Sequence, residues 1–373
     1  MDKLNAPFRY DIVGSFLRSE AIKTARAQYA QGQITLDQLR DIEDVEVAKL
    51  IESQKAAGLH AVTDGEFRRR WWHLDFLAGF NGIEVYDFET DGFGIKKMMQ
   101  STYVSEPLSF DPAHPFLEGF KRTQEIAGDV PVKQTIAGPN MVTLDSVVLS
   151  AQYAANPVYR DLDELREALA KVYQDAIKAF YDAGCRYLQL DDTSWGALFS
   201  KRFRDRITAC GYDPDKLIDV FGDITEAALE GRPSDMVITT HMCKGNFMSH
   251  WLYEGTYETV ARRLLGIRGI DGFFLEYDDE RSGDFSPLRF LPKDTDQRVV
   301  LGLVTTKDPK LEDAAPIRDR IYEAAKVVDL DRLCLSPQYG FSSTEEGNVL
   351  SEEDQWKKLR LVREVAESVW ADA

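Results

Sequence analysis

Short apolar, β-branched runs recur along the chain and alternate with longer stretches of helical periodicity. Runs of this length, bounded by turn residues, are typical of buried strands. The eight runs span residues 11–16, 61–66, 130–139, 185–192, 236–243, 272–277, 299–306 and 333–341. The pattern therefore predicts a protein built largely from strand–helix units.

The stretches between these runs carry helix signals. Thr35 and Gln38 have the spacing of a capping box and open a helix that ends near Gly58. Residues 161–183 repeat apolar groups at helical spacing, and residues 351–369 begin with a capping pattern and continue with one apolar face. These signals place helices between several of the strand candidates.

Eight strand candidates in alternation with helices predict a single (β/α)8, or TIM, barrel over residues 1–373. An open doubly wound sheet is the alternative, but it usually shows a Gly-rich phosphate turn after its first strand. The Gly-bearing stretch DGFGIKK at 91–97 follows no clear strand and carries little weight. Residues 81–129 contain no strand–helix unit, so we expect an insertion after the second strand, over the C-terminal mouth.

The charge balance narrows the classes of partner. The 373-residue chain has a formal net charge of -18, which argues against binding of nucleic acid or anionic membranes. No apolar run approaches the roughly 20 residues of a membrane span, and the first residues lack the apolar core of a secretory signal. The four cysteines show no disulfide spacing. We expect a soluble cytoplasmic protein that acts on small molecules.

Polar residues cluster at the C-terminal ends of the predicted strands. In chain order they are Ser15, Asp64, Glu66, Asp191, Asp192, His241, Cys243, Glu276, Thr305, Thr306, Gln338 and Tyr339. A random scatter of polar residues would not favour one end of every strand. Since active sites of (β/α)8 enzymes lie at this face, the sequence predicts a site there.

His241, Cys243 and Glu276 are candidate metal ligands. His241 and Cys243 are two residues apart at a strand end, so their side chains share one face, and Glu276 ends the next strand. Imidazole, thiolate and carboxylate together suit Zn²⁺ best among common metals. Taken singly, His241 is also compatible with a hydrogen-bonded core residue, and Glu276 with an ordinary paired carboxylate.

A basic and aromatic run, RRRWWH at 68–73, directly follows Glu66. With this net charge, a substrate carboxylate or a ring stacked on Trp72 is a better partner for the run than nucleic acid. The alternative is a solvated loop whose tryptophans pack on the rim of the barrel.

The motifs together resemble the catalytic barrel of the cobalamin-independent methionine synthase family and its short single-barrel bacterial relatives. IVGSF at 12–16, TDGEFRR at 63–69, QLDD at 189–192, HMC at 241–243 and FLEY at 274–277 occur in the family's order. The WWHLDF and SPQ-GF-STEEGN signatures match the short relatives. The resemblance covers nearly the whole chain. It implies a (β/α)8 fold and a zinc-dependent methyl transfer to the thiol of homocysteine, which forms methionine.

The resemblance also implies roles for individual residues. His241, Cys243 and Glu276 match zinc ligands. Ser15, Glu66 and Asp191 match groups that hold the amino-acid part of homocysteine, and we assign catalytic importance to the two carboxylates. Zn²⁺ keeps a coordinated thiol deprotonated at neutral pH, whereas a free thiol with a pKa near 8.5 is mostly protonated.

Two positions depart from the family pattern. The family's last zinc ligand is a cysteine before the glycine of the final strand motif, where this chain has Tyr339 in SPQYGF. We expect Tyr339 to contact the substrate or to lie as a distant fourth ligand. The family's catalytic histidine after the seventh strand is also missing, and Lys307 in TTKDP lies nearest that place.

The methyl donor remains open at this point. A 5-methyltetrahydrofolate-type donor is the family default, but we find no counterpart of the folate-handling N-terminal half of the full-length enzyme, so methylcobalamin and a small sulfonium are alternatives. A metal-poor enzyme or an amino-acid-binding barrel that uses Tyr339, Asp191 and Glu66 on a related small substrate is the alternative function.

Overall fold

A computed structural model describes residues 3–90, 97–247 and 250–373. In chain order the strands are β1 Asn81–Thr90, β2 Lys97–Ser109, β3 Lys133–Ala137, β4 Tyr187–Asp191, β5 Val237–Met242, β6 Asn246–Phe247, β7 His250–Trp251, β8 Gly272–Glu276, β9 Arg298–Val304 and β10 Leu333–Pro337. The helices are α1 Glu20–Ala30, α2 Leu36–Ala56, α3 Leu74–Leu77, α4 Pro115–Ala127, α5 Pro139–Met141, α6 Ala151–Ala155, α7 Leu162–Asp182, α8 Trp195–Phe199, α9 Lys201–Ala209, α10 Pro214–Leu229, α11 Ala261–Leu265, α12 Ala314–Ala324 and α13 Glu352–Val369. A π-helix at Val142–Val148 and short 3-10 turns complete the described elements.

The centre of the fold is a parallel sheet. Among the described residues it contains six strands in the order β10-β9-β8-β5-β4-β3, and every neighbouring pair is parallel. β3, β4, β5, β8 and β10 are buried along their whole length. Strands buried on both faces read as continuous apolar runs, which is why the sequence pattern located all six. The predicted α/β class is confirmed.

The first two predicted strands are not strands, and the described residues form no closed barrel. Tyr10, just before segment 11–16, makes one parallel bridge to Leu335 of β10. Val62 of segment 61–66 makes another to Val132, the residue before β3. Both segments therefore extend the edges of the sheet. Neither continues the backbone ladder.

In both segments, side chains form hydrogen bonds with backbone groups that would otherwise pair with a neighbouring strand. The carbonyls of Ile12, Val13 and Gly14 accept from Lys133 Nζ, Gln189 Nε2 and Thr63 Oγ1, respectively. In the other segment, the side-chain amide of Gln54 in α2 bonds both the N–H and the carbonyl of Thr63. Because these groups are already paired, a regular ladder between the two segments does not form.

The helix predictions are confirmed where they were specific. The α2 cap has both reciprocal bonds of the Thr35–Gln38 capping box, and Gly58 has a positive φ just after the helix. α7 lies within the predicted 161–183 span, and α13 starts after Ser351, which caps the backbone of Asp354. Within the described part of the chain, no helix combines the length and apolar character needed to cross a membrane.

The segment predicted as an insertion begins with an antiparallel hairpin. β1 and β2 pair from Asn81–Ser109 onward, and α4 follows. Residues 91–96, and with them nearly all of the DGFGIKK stretch, lie outside the described residues. The hairpin contacts the π-helix and α7, so it lies beside the ends of the strands that carry the polar residues.

Candidate functional site

His241, Cys243 and Glu276 lie together at the C-terminal ends of neighbouring strands. His241 is near the end of β5, Cys243 directly follows β5, and Glu276 is the last residue of β8. β5 and β8 are paired neighbours, so the sheet register brings the three side chains together. Their ligand atoms all lie within 4.8 Å of one another, and all three residues are buried. The predicted cluster therefore exists as a geometric unit.

The hydrogen bonds around the cluster leave atoms of His241 and Glu276 available to bind a metal ion. Glu276 Oε1 accepts from Lys244 N at 3.1 Å and from Asn246 Nδ2 at 2.8 Å, whereas Oε2 is buried without a partner. Neither ring nitrogen of His241 has a partner of good hydrogen-bond geometry, although the Phe274 backbone lies nearby. Unsatisfied buried atoms are costly, and a cation between them would offset that cost.

Burial controls the protonation of the three groups. It lowers the pKa of His241 to about 3, with a smaller contribution from the cation of Lys133, so the imidazole is in its neutral, ligating form. Burial and the nearby Glu276 raise the pKa of the Cys243 thiol, and burial also raises the pKa of Glu276. A divalent cation would favour both anionic forms, and the nitrogen, sulfur and oxygen donors fit Zn²⁺.

A cavity of about 340 Å³ joins this cluster to the other predicted residues. The predicted site residues that line it are Ser15, Glu66, Trp72, Asp191, His241, Cys243 and Tyr339. Glu276 lies fully buried beside it, and Lys307 is paired instead with Asp278 at 3.0 Å. The structure thus brings together every residue assigned to substrate binding in the sequence.

Glu66 and Asp191 place two buried carboxylates on the cavity wall. Glu66 has a φ of 61°, a backbone conformation that non-glycine residues rarely adopt. Its Oε1 lies 3.4 Å from Arg69 Nη1 and accepts from Thr135 Oγ1, whereas Oε2 is buried without a partner. Asp191 ends β4 and accepts from Gln189 Nε2 at 2.7 Å.

Both carboxylates lie in surroundings that oppose their charge. Burial raises the pKa of Glu66 against the opposing effect of Arg69, and burial together with Glu66 raises the pKa of Asp191. A cationic ligand between them would offset both desolvation and mutual repulsion. The wall is therefore suited to a substrate ammonium group.

Ser15 and Gly340 both line the cavity and approach each other closely. A Cβ at position 340 would collide with Ser15 Oγ, so only glycine fits there. Ser15 Oγ accepts from Ser342 N at 3.2 Å, and Phe341 N donates to the Ser15 carbonyl at 2.9 Å. The residues after Tyr339 thus fix Ser15 beside the loop that follows β10.

Tyr339 occupies the wall next to the metal candidates. It is 4% exposed and belongs to a buried cluster that includes Cys243, Val13 and Phe274. Burial raises the pKa of its phenol, with further contributions from Glu276 and Cys243. At neutral pH Tyr339 therefore presents a protonated hydroxyl.

The run at 68–73 divides between two faces. Half-buried Trp72 lines the cavity, and its backbone N–H donates to the Ser343 carbonyl at 3.1 Å. Buried Arg69 contacts Glu66, whereas Arg68 pairs with Asp44 at 2.6 Å on the outer side. The structure thus places Trp72 at the cavity and Arg68 away from it, and a role of the run in substrate binding stays a prediction.

Several cavity residues were not anticipated from the sequence. Tyr86, Phe88 and Met99 of the β1–β2 hairpin line it, and so does Asp145 of the π-helix. Burial raises the pKa of Asp145 to about 7 against the attraction of Arg206. No motif marks Asp145, since a π-helix has neither of the two periods used to recognise elements.

Comparison with known proteins identifies the family. The model of the cobalamin-independent synthase catalytic domain matches residues 10–368. The chain belongs to this family. The recognition made from the sequence motifs is confirmed, and the family is one of methionine synthase-like methyltransferases.

Individual relatives of this synthase family differ in length and in what is known of them. The uncharacterized protein YxjH of Bacillus subtilis (strain 168) is 48% identical over 368 residues, which cover 98% of this chain and 95% of YxjH. The crystal structure of a putative vitamin-B12-independent methionine synthase from Listeria monocytogenes is 41% identical, with a TM-score of 0.77 and 98% of each chain covered.

A longer relative carries a named activity. The 5-methyltetrahydropteroyltriglutamate–homocysteine methyltransferase of Trichodesmium erythraeum (strain IMS101) is 22% identical over 339 residues, which cover 89% of this chain but 40% of that enzyme. This member of the synthase family therefore spans less than half of that methyltransferase.

Proposed function

We propose that this protein is a zinc-dependent methyltransferase that moves a methyl group to the thiol of homocysteine and forms methionine. The observation that carries the proposal is the shared cavity, in which His241 and Cys243 face the same space as Glu66 and Asp191. A thiol-activating metal and an ammonium-binding wall are the two features that an amino-acid thiol substrate requires.

We assign each group of site residues a separate role according to its chemistry. His241, Cys243 and Glu276 would hold Zn²⁺, which supplies a Lewis acid that keeps a substrate thiol deprotonated. Glu66 and Asp191 bind the ammonium group of homocysteine and fix the position of its sulfur. Tyr339 donates a hydrogen bond to the substrate, and the ring of Trp72 covers one side of it.

We infer that the remaining architecture serves this site. Segments 11–16 and 61–66, each bridged to an edge of the sheet, close it into a (β/α)8-type barrel that forms one domain over residues 1–373. Residues 81–129 are an insertion over the C-terminal mouth, as hairpin side chains in the cavity wall indicate. The donor is of the 5-methyltetrahydrofolate type by family default, with methylcobalamin and a small sulfonium as alternatives.

Isotope transfer tests the proposal directly. The purified protein is incubated with homocysteine and, in separate reactions, a ¹³C-methyl donor of each of the three classes, and labelled methionine is measured by mass spectrometry. We expect labelled methionine from one donor and stoichiometric zinc by elemental analysis. Cys243→Ala should lose zinc and transfer together, whereas Cys210→Ala, an exposed thiol, serves as the control and should keep both.

Two results would contradict the proposal. Methionine formed at the same rate by zinc-free protein would favour the metal-poor enzyme, in which Tyr339, Asp191 and Glu66 perform acid–base work. Absence of labelled methionine with all three donors, from protein that holds zinc and binds homocysteine, would favour an amino-acid-binding barrel.

A further inference from the structure

A second, larger cleft lies outside the cavity of the candidate active site. It has a volume of about 1090 Å³ and is lined by α1, α2, α4 and the loop that follows Asp64. Eight arginine and lysine side chains line it against five carboxylates. This is unusual on a chain whose net charge is -18. We call it the arginine cleft, after Arg18, Arg26, Arg68 and Arg69.

The guanidinium groups of the arginine cleft are not fully satisfied. Arg69 and Arg18 are only 2% and 4% exposed, and Arg18 Nε is buried without a hydrogen-bond partner. Arg26 Nε and Arg68 Nε are in the same state, whereas the Nη1 atoms of Arg69 and Arg68 have long ion-pair contacts, at 3.4 Å to Glu66 and 3.8 Å to Glu43. Each unpaired buried donor costs free energy, so the three unpaired Nε–H groups in one cleft indicate that an acceptor is missing.

Existing contacts fix the orientation of these side chains. Arg26 pairs with Glu43 at 3.1 Å, and Arg68 pairs with Asp44 at 2.6 Å. Arg18 donates to the Glu66 carbonyl at 2.9 Å. A purely structural role explains these paired groups but leaves the unpaired N–H groups of the same side chains without a function.

The chemistry of the cleft selects a class of ligand. Guanidinium forks bind oxyanions with paired, charge-assisted hydrogen bonds, and several forks in one cleft favour a compact polyanion. Apolar side chains from Ile22, Leu39 and Phe120 line the same walls. We propose that the arginine cleft is a second binding site, which takes a small molecule bearing phosphate-type oxyanions.

Calorimetric titration of the full chain with pyrophosphate at low ionic strength tests this site. The decisive variant is Ala27→Glu, which places a carboxylate in the cleft at an exposed alanine of α1 without removing any ion pair. Ala21→Glu is the matched control, because Ala21 is also exposed on α1 but does not line the cleft. Both variants add the same charge to the same helix.

We expect pyrophosphate to bind the wild-type protein with a defined stoichiometry. Ala27→Glu should weaken binding at least tenfold, and Ala21→Glu should change it less than twofold. Equal weakening by both variants would show a general charge effect and overturn the proposal. So would the absence of binding to the wild type, or affinity unchanged in Ala27→Glu. Calorimetry measures pyrophosphate binding and does not depend on methyl transfer. A negative result would therefore overturn the second site without contradicting the proposed function.

Discussion

Asn246 Nδ2 donates to Glu276 Oε1 at 2.8 Å, and Glu276 Oε2 has no hydrogen-bond partner among the candidate metal ligands. The amide is itself held on its other side, where Gln338 Nε2 lies 3.5 Å from Asn246 Oδ1. The orientation of one candidate ligand is thus set by a residue that is not a ligand. Such supporting contacts tune metal affinity as well as geometry.

We therefore expect Asn246→Ala to weaken zinc binding by about 10- to 100-fold, since the Glu276 carboxylate would lose the shorter of the two hydrogen bonds that fix it. The measurement is a competition titration against a chelator of known affinity. Asn81→Ala, at an exposed position of the hairpin, is the control and should bind zinc as the wild type does. Unchanged zinc affinity in Asn246→Ala would argue that Glu276 is not a ligand.

Homocysteine binding should depend on the two buried carboxylates. Glu66→Gln and Asp191→Asn each remove one partner of the substrate ammonium, which typically costs about 2–5 kcal/mol, or roughly 30-fold or more in affinity. Calorimetry with homocysteine measures the change, and Glu52→Gln on the exposed face of α2 is the control. If both carboxylate variants bind homocysteine like the wild type, this wall does not hold the amino-acid group.

Asp145 should make stability depend on pH. Its folded-state pKa is raised to about 7, chiefly by burial, whereas an unfolded aspartate has a pKa near 3.9. Between these values the unfolded state binds fewer protons than the folded state, so this contribution to stability is present at low pH and is lost as pH rises to about 7.

The variant Asp145→Asn removes that titration. The free energy of unfolding of the wild type should therefore fall relative to Asp145→Asn from about pH 4 to about pH 7, and the difference should level off above pH 7. Urea unfolding at several pH values measures it, with exposed Asp163→Asn as the control. A difference that is flat across this range would mean that the carboxyl titrates normally.

The sequence predicted that the candidate metal ligands lie together because part of the signal is local. His241 and Cys243 follow a continuous apolar run, and the alternation of a strand alone places both side chains on one face. Six strands were found for the same reason, since full burial leaves an apolar run in the sequence.

The two edge segments could not be predicted in this way. Residues 11–16 have the composition of a strand, but their carbonyls bond the side chains of Lys133, Gln189 and Thr63, which lie 49 to 176 positions away. A pattern of apolar residues reports burial. It does not report which polar group satisfies a backbone carbonyl, so the missing ladder became evident only in three dimensions.

Tyr339 offers the sharpest test of how this chain differs from its family pattern. Its side chain lies in the same buried cluster as Cys243, so a residue at 339 is placed to contact the metal site. A phenol with a pKa raised above its usual value of about 10 is a poorer zinc ligand at neutral pH than a thiol. Without a second thiolate, only Cys243 and Glu276 among the candidate ligands would contribute negative charge, so zinc should be easier to remove with a chelator. Tyr339→Cys should therefore tighten zinc binding at least tenfold, or about 1.4 kcal/mol, in a competition titration with a chromophoric chelator. Equal affinities for the two proteins would mean that position 339 does not reach the metal.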